Sequence, residues 1–599
     1  MKVKMPPWAL MLALCCSVAL ASDEKVQKLV QSLKTEQRAS DRAQAAVMMV
    51  EAYNKDGVLA LVDALKDENP GVRGNAAWAI AAIVQKQKGQ AAAWNPDCVA
   101  ALVRILKDTQ APGRDYAAWT LGFLIPAAKS AIPDLIEALK DKDLELRISA
   151  ARTLGILGPE AKDAVPLLAK GLEEKDAQCR DYHFVEALGK IGLPAVPGIV
   201  ECFKSPVIAV RLKAALALGL MGPRQSAPEA AAALALALKD ADADVRGAVA
   251  EACGKTKAKP AVPGLIQTLQ DGSAEVRAKA AGALGEIGPE SAKESLPALL
   301  QALKEDKEKG VRHHAALALG KLGPAAKDAV PALLDALKDE AWHLRYAAAW
   351  GLEGVGAAVA EVVSSLAAAL QDEHPYVRFR AAAALGKFGP AAKDAAAALL
   401  EAQYRDNGDD LARSYYCVHA LAAIGADAVP ALVAGLQDKR AALRDDAATA
   451  LGLLKPPGAK AALGALTEGL KDESALVREK CAVALGRMGA DAKPAIGALL
   501  PLIKDGNADV SVNAILVIGN LGRETPEVVS AFVQAWKQSK PDDRGRIGDE
   551  LVKARSAAVP ALIEALKLET DKDARAALAG YLDKIGTPEA KKAAEEAKK

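Results

Sequence analysis

The chain has 599 residues, of which 51% are hydrophobic and 26% charged, with a formal net charge of +1. This length and apolar content suffice for a large buried core. The charge balance excludes a general nucleic-acid binder and a polybasic membrane-surface protein. Aromatic residues make up only 4%, so the core must be built from Ala, Leu and Val.

The N-terminus carries a secretory signal pattern. Lys2 and Lys4 form a positive start, Trp8 to Leu20 is an apolar run, and Ala19-Leu20-Ala21 fits the small-x-small cleavage rule. A cut after Ala21 is expected, giving a signal peptide over 1–21. An uncleaved anchor helix, or a lipid anchor on Cys15 or Cys16, is the alternative. Cleavage removes Lys2 and Lys4 from the 77 basic residues, leaving 75 against 76 acidic ones. No later stretch is apolar for long enough to span a membrane, so no transmembrane segment is expected after cleavage.

From there the chain repeats one sentence of about 33 residues. A clear copy is VRHHAALALGKLGPAAKDAVPALLDALKD from Val311, with others at Val276 and Val477. The Arg of the Val-Arg step returns every 31 to 41 residues, and Ser511 takes its place once. About 17 repeats follow over residues 22–588. Between Arg73 and Arg114 the period stretches around Gln85–Asn95, which suggests a protruding loop. Each repeat is predicted to hold two helices. The first starts near a Pro, as in Val330-Pro331-Ala332-Leu333, because Pro fits the first helical turn. The second starts before Val-Arg and is expected to stop at a Gly such as Gly155, Gly320 or Gly386, with Pro159, Pro324 or Pro390 beyond.

On a helical wheel with the Arg at zero, the Val, the two Ala and the Leu of V-R-x-x-A-A-x-A-L fall within about 140° of one another. That arc is the buried face, and the first, second and fifth positions after the Arg lie opposite it. The Arg itself falls on the core side, where an unpaired charge is costly. An Asp stands six residues before it: Asp67 and Arg73, Asp108 and Arg114, Asp141 and Arg147, Asp240 and Arg246, Asp271 and Arg277, Asp306 and Arg312, Asp339 and Arg345, Asp372 and Arg378, Asp438 and Arg444, Asp472 and Arg478. These read as a structural ladder in which Arg bridges layers and Asp accepts backbone N–H bonds in the turn. An anion-binding column is the alternative, and the matched acids argue against it.

The D-x5-R spacing (Asp339 to Arg345), V-R-x-x-A-A-x-A-L-G (Val311 to Gly320) and the V-P-A-L helix (Val330 to Leu333) resemble the HEAT-repeat superfamily, specifically the HEAT-like repeats of phycobilisome lyases. The resemblance spans nearly the whole mature chain. It implies an all-α fold, a right-handed α-α superhelix (HEAT-repeat solenoid) whose second helices line the concave face. It also brings the alternative of a bilin lyase or isomerase.

Large rings on the solvent side of a helix are candidate interface anchors. The first group is Trp78, Tyr116, Trp119, Tyr182 and His183, with Asp115 beside it. The second is His313, His314, Tyr346, Trp350, Phe379, Arg380, Tyr415, Tyr416 and His419. Trp342, His343, His374 and Tyr376 fall in the turns before those helices. The helices after Arg180 and Arg413 carry one extra residue, so which side chains face inward there is open. No metal site is expected, since neither H-x3-H nor H-E-x-x-H occurs. No cofactor is expected either: C-x-x-C-H, a Walker loop and G-x-S-x-G are all lacking. Six cysteines remain in the mature chain, scattered singly, and Cys179 and Cys202 are close enough in sequence to pair. Residues 589–599, rich in Ala, Glu and Lys, read as a polar tail.

The resulting expectation is an exported, non-enzymatic scaffold, periplasmic or secreted, that binds a protein or peptide on its concave face. A structural role in envelope assembly is a further alternative. Neither the partner's identity nor the oligomeric state is written in the sequence.

Overall fold

The computed structural model describes residues 23–52, 55–86, 96–109, 113–125, 127–174, 182–223, 228–405, 411–454, 458–539 and 541–598. Among them there is no strand; helices follow one another from Asp23–Thr35 to Pro588–Lys598. The chain forms two compact units, Met1–Ala298 and Leu299–Lys599. The signal segment, the stretched loop after Lys86, Cys179 and the Tyr415 side chain lie outside the described residues.

One repeat of the second unit shows the plan. A second-type helix, Lys309–Lys321, ends at Leu322, and Gly323 turns the chain with φ 65°. A 3-10 turn, Gly323–Ala329, leads into the short first-type helix Val330–Ala336, with Pro331 in its first turn. The next second-type helix is Trp342–Val355. Val311, Ala315, Ala316 and Leu319 are all buried, while His313 is half-buried and His314 exposed. The wheel separated the four buried positions from exposed His314, whereas His313, expected on the solvent side, is half-buried.

The expected helix stops need correction. Gly155, Gly320 and Gly386 lie inside the helices Leu144–Leu157, Lys309–Lys321 and Pro375–Phe388. The stop is the glycine three residues later: Gly158, Gly323 and Gly389 all have positive φ, and Pro159, Pro324 and Pro390 follow directly. Glycine takes that left-handed conformation without a side-chain clash. The inner glycine serves packing instead. A Cβ on Gly320 would sit 2.8 Å from the Gly351 Cα of the next repeat, so the two backbones touch.

Within each unit, successive second-type helices pack directly against one another, whereas successive first-type helices touch far less. The second-type helices thus form the more tightly spaced row. Ala and Gly make that spacing attainable. The apolar run Tyr416–Gly435 is 20 residues long. It is split at Gly425 (φ 76°) between the end of Leu411–Ile424 and the start of Val429–Gly435, so it is not one straight rod. At the C-terminal end, Pro588–Lys598 is a helix whose Ala590 and Ala594, four apart, are fully buried. Alanine alone supplies that apolar face, a signal too weak to see in a run of Lys and Glu.

Candidate functional site

Most ladder arginines do two things. Nη1 of Arg345 donates to the carbonyls of Asp339 and Glu340 in its own turn, at 2.9 and 3.0 Å. Its Nε and Nη2 reach forward to both carboxylate oxygens of Asp372 in the next repeat, at 2.7 and 2.8 Å. Asp372 also accepts the backbone N–H of His374 at 2.8 Å. The same forward reach joins Arg42 to Asp67, Arg73 to Asp108, Arg114 to Asp141, Arg211 to Asp240, Arg246 to Asp271, Arg312 to Asp339, Arg444 to Asp472 and Arg478 to Asp505. Arg147 takes Glu174 instead, at 2.7 Å. Asp306 accepts the Glu308 N–H, and Asp438 holds Arg440. Arg277 and Arg378 donate to the carbonyls of Asp271 and Asp372 in their own turns. Ser511, in the missing Arg's place, donates to the Ile503 carbonyl at 2.7 Å. A cavity of about 730 Å³ in the first unit, between Asp141, Arg147, Glu174 and Phe184, is lined by these ladder groups and adds no new chemistry.

These contacts tune the carboxylates. Burial pushes Asp67, Asp240, Asp372 and Asp472 up, but the guanidinium and backbone N–H bonds outweigh it and hold each below its ordinary range. At Asp271 and Asp505 the arginine bond is the largest influence, and both are lowered. A carboxyl depressed in the folded state contributes stability above its unfolded value, near 4, and loses it as pH falls toward the folded value. Thermal melts followed by circular dichroism are therefore expected to be flat from about pH 8 to 5 and to fall steeply below about pH 4. A melting temperature unchanged at about pH 3 would remove the ladder from the stability account.

The central aromatic group divides in two. Its inner members close on each other. Arg380 donates to Tyr346 Oη and to Glu353 Oε2, both at 3.0 Å, with its guanidinium 5.3 Å from the Tyr346 ring and 5.4 Å from Phe379. Phe379 meets Tyr416 edge-on at 4.0 Å. Trp350 is half-buried, its ring against Gly320. These side chains link three successive repeats, and Tyr346, Trp350, Phe379, Arg380 and Tyr416 are each half-buried; His419 is exposed beyond them.

The outer members were not among the wheel positions. Trp342, His343 and Tyr376 begin helices, and His374 caps the Pro375–Phe388 helix. His374 lies flat on Trp342, centroids 3.8 Å apart and planes 4° from parallel. Tyr376 sits 5.9 Å from Trp342 and is 60% exposed; Trp342 is 39% exposed. Their positions, two to four residues before the Arg, are the only sequence signal for them.

The first aromatic group is looser. Trp119 packs edge-on against Phe123 at 5.1 Å, with the Arg152 guanidinium 6.0 Å above its ring. Burial raises the Asp115 carboxyl and the Tyr116 hydroxyl. His183 is held below its ordinary value by burial and bonds Glu186 at 3.2 Å. Tyr182 is exposed, Trp78 and Tyr116 half-buried. Among the described residues, no ring contact joins Trp78 to the rest, and no three His, Cys, Asp or Glu side chains converge as a metal cage. Cys98, Cys202, Cys253 and Cys481 are free thiols. Burial pushes Cys98, Cys253 and Cys481 up to about 12, far from a reactive thiolate.

The HEAT-repeat family model matches residues 26–94, 99–188, 180–254, 230–320, 296–360, 330–416 and 463–551. The chain belongs to the HEAT-repeat family. Its solenoid is similar to that of a mutant of Kap121p, at 14% identity and TM-score 0.53 over 94% of this chain and 74% of that one. It is also similar to Kap95p in a structure concerned with RanGDP and nuclear import, at 14% identity and TM-score 0.50 over 96% and 94%. Yeast importin-beta (Kap95p) gives 13% identity and TM-score 0.49 over the same shares. At these identities the likeness is one of fold. No characterised protein sequence matches the chain.

Proposed function

We propose that this HEAT-repeat protein is an exported, non-enzymatic scaffold that holds a protein or peptide partner on the second-helix side of its repeats. The carrying observation is the exposed pair Trp342 and Tyr376, braced by His374, in a chain that is 4% aromatic. Rings left at the surface and fixed by stacking are rigid anchors with little ordering entropy left to lose on binding. Protein binding by a solenoid of this fold has a parallel in Kap95p, which engages RanGDP. The Lys2-to-Ala21 pattern supports export to the periplasm or the exterior. The inner Tyr346, Arg380 and Phe379 brace the surface beneath the anchors, since their contacts are already taken within the fold.

The test places a photo-crosslinking residue at position 376, and a control at Glu361 on the first-helix side, in the native host. A partner crosslinked from 376 and absent from 361 is expected. The Trp342→Ala, Tyr376→Ala pair should remove that crosslink's partner from an untagged capture while helicity stays unchanged. Equal capture by the double variant would reject these rings as anchors. Trp350→Ala is a poorer probe, because that ring packs against Gly320 and its loss disturbs the fold.

A further inference from the structure

Six rings run in an unbroken row across three successive repeats of the second unit: His314, His313, His343, Trp342, His374 and Tyr376. Neighbouring centroids are 5.3, 6.0, 5.9, 3.8 and 5.5 Å apart. Four of the six are imidazoles, in a chain with only six histidines. Histidine is the side chain that gains charge just below neutral pH. His313 Nδ1 meets the His343 carbonyl at 2.9 Å, and His314 Nδ1 meets the Gly310 carbonyl at 2.8 Å. A carbonyl only accepts, so each Nδ1 carries a proton and donates it, leaving the Nε2 lone pair outside these bonds. His374 lies flat on the indole face of Trp342.

The charged groups facing the row are already matched. Lys309 holds Glu340 at 2.6 Å, and Arg312 holds Asp339 at 3.2 Å. Arg345 holds Asp372 and Glu373 at 2.7 and 3.1 Å. Lys307 and Glu308, one of each sign, precede the His313 helix. Protons taken up by the imidazoles thus add positive charge to a rim whose carboxylates already hold arginine or lysine partners, with Asp372 also facing His374. Burial, with the two adjacent imidazoles, holds His313 below its ordinary value.

We propose that this row is a proton-gated anchor whose occupant is an acidic segment bearing aromatic side chains, held more tightly as the imidazoles take up protons. The aromatic part of that segment would pack on Trp342 and Tyr376, and its carboxylates would meet the imidazolium charges. The inference rests on the docking reading above and adds its partner chemistry and regulation.

Fluorescein-labelled peptides of alternating Asp and Phe, and of alternating Lys and Phe, provide the probes, read by anisotropy against the full mature chain. The acidic peptide is expected to bind at least about tenfold more tightly at about pH 5.5 than at about pH 7.5, and the Lys peptide more weakly. His313→Gln, His314→Gln, His343→Gln and His374→Gln together should abolish this difference. His314→Gln alone, at an exposed site, should reduce it in part without touching the core. Equal acidic-peptide affinity at both pH values overturns the proposal, as does full pH dependence in the quadruple variant. If binding is pH-independent yet lost in Trp342→Ala, Tyr376→Ala, the gating fails and the docking surface stands. If neither peptide binds at either pH, the gating fails, and the crosslinking experiment decides the docking surface independently.

Discussion

Replacing Arg345 by Leu is expected to destabilise the second unit by about 3 kcal/mol, the scale for removing one partner of a buried ion pair. Arg345 is 7% exposed, and the Asp372 and Glu373 carboxylates and the Asp339 and Glu340 carbonyls all lean on it. Its loss leaves the Asp372 charge in a half-closed seam with only the His374 N–H for company. Solenoid repeats unfold by neighbour coupling, so the damage should concentrate in the two repeats that Arg345 joins. Hydrogen exchange by mass spectrometry should show faster exchange in Trp342–Val355 and Pro375–Phe388 before any change near Trp536. Adding Asp372→Asn to Arg345→Leu should recover part of the loss, because the stranded charge goes and Asn still accepts the turn N–H. A loss within about 0.5 kcal/mol, or a double variant that is simply additive, would mean that water already solvates the pair.

Two glycines one repeat apart are expected to respond with opposite signs. Gly354→Ala should cost about 2 kcal/mol, since its Cβ would stand 2.8 Å from the Gly320 Cα and also strike the Gly320 carbonyl, which is backbone that cannot swing away. The gain in helix propensity, about 1 kcal/mol, is too small to offset that. Gly310 lies in the first turn of Lys309–Lys321 with open space where a Cβ would go, so Gly310→Ala should stabilise by about 0.5 kcal/mol. Urea midpoints of the two variants measure both. The Gly354 change should also weaken docking, because it wedges apart the helices that carry His313 and Trp342. If Gly354→Ala melts like the parent, the close approach of these helices does not constrain the stack.

The aromatic positions show how far a wheel reaches. It gives the angle of a side chain about its own helix axis, so it separated buried Ala315 and Leu319 from exposed His314. It gives neither height along the axis nor the distance to the next helix. Tyr346 and Phe379 satisfy the outward angle, yet Arg380 and Tyr416 from neighbouring helices cover them. Trp342 and Tyr376 stand at helix starts, where His374 covers one face of Trp342 and both rings stay exposed. The most exposed rings stand four residues before Tyr346 and three before Phe379, at the starts of the same helices.

The sequence by itself determined the repeat, its two helices, the apolar arc of each and the need for an acid near every core-side Arg. All of these are local, set within about one 33-residue period by helical geometry and turn chemistry. Only the tertiary structure decided that arginines such as Arg246, Arg345 and Arg444 take their own repeat's carbonyls and the next repeat's carboxylate. The same holds for Gly320, which admits a neighbouring backbone and does not end its helix. Those choices depend on the spacing between stacked layers, which packing sets across repeats and no single period contains.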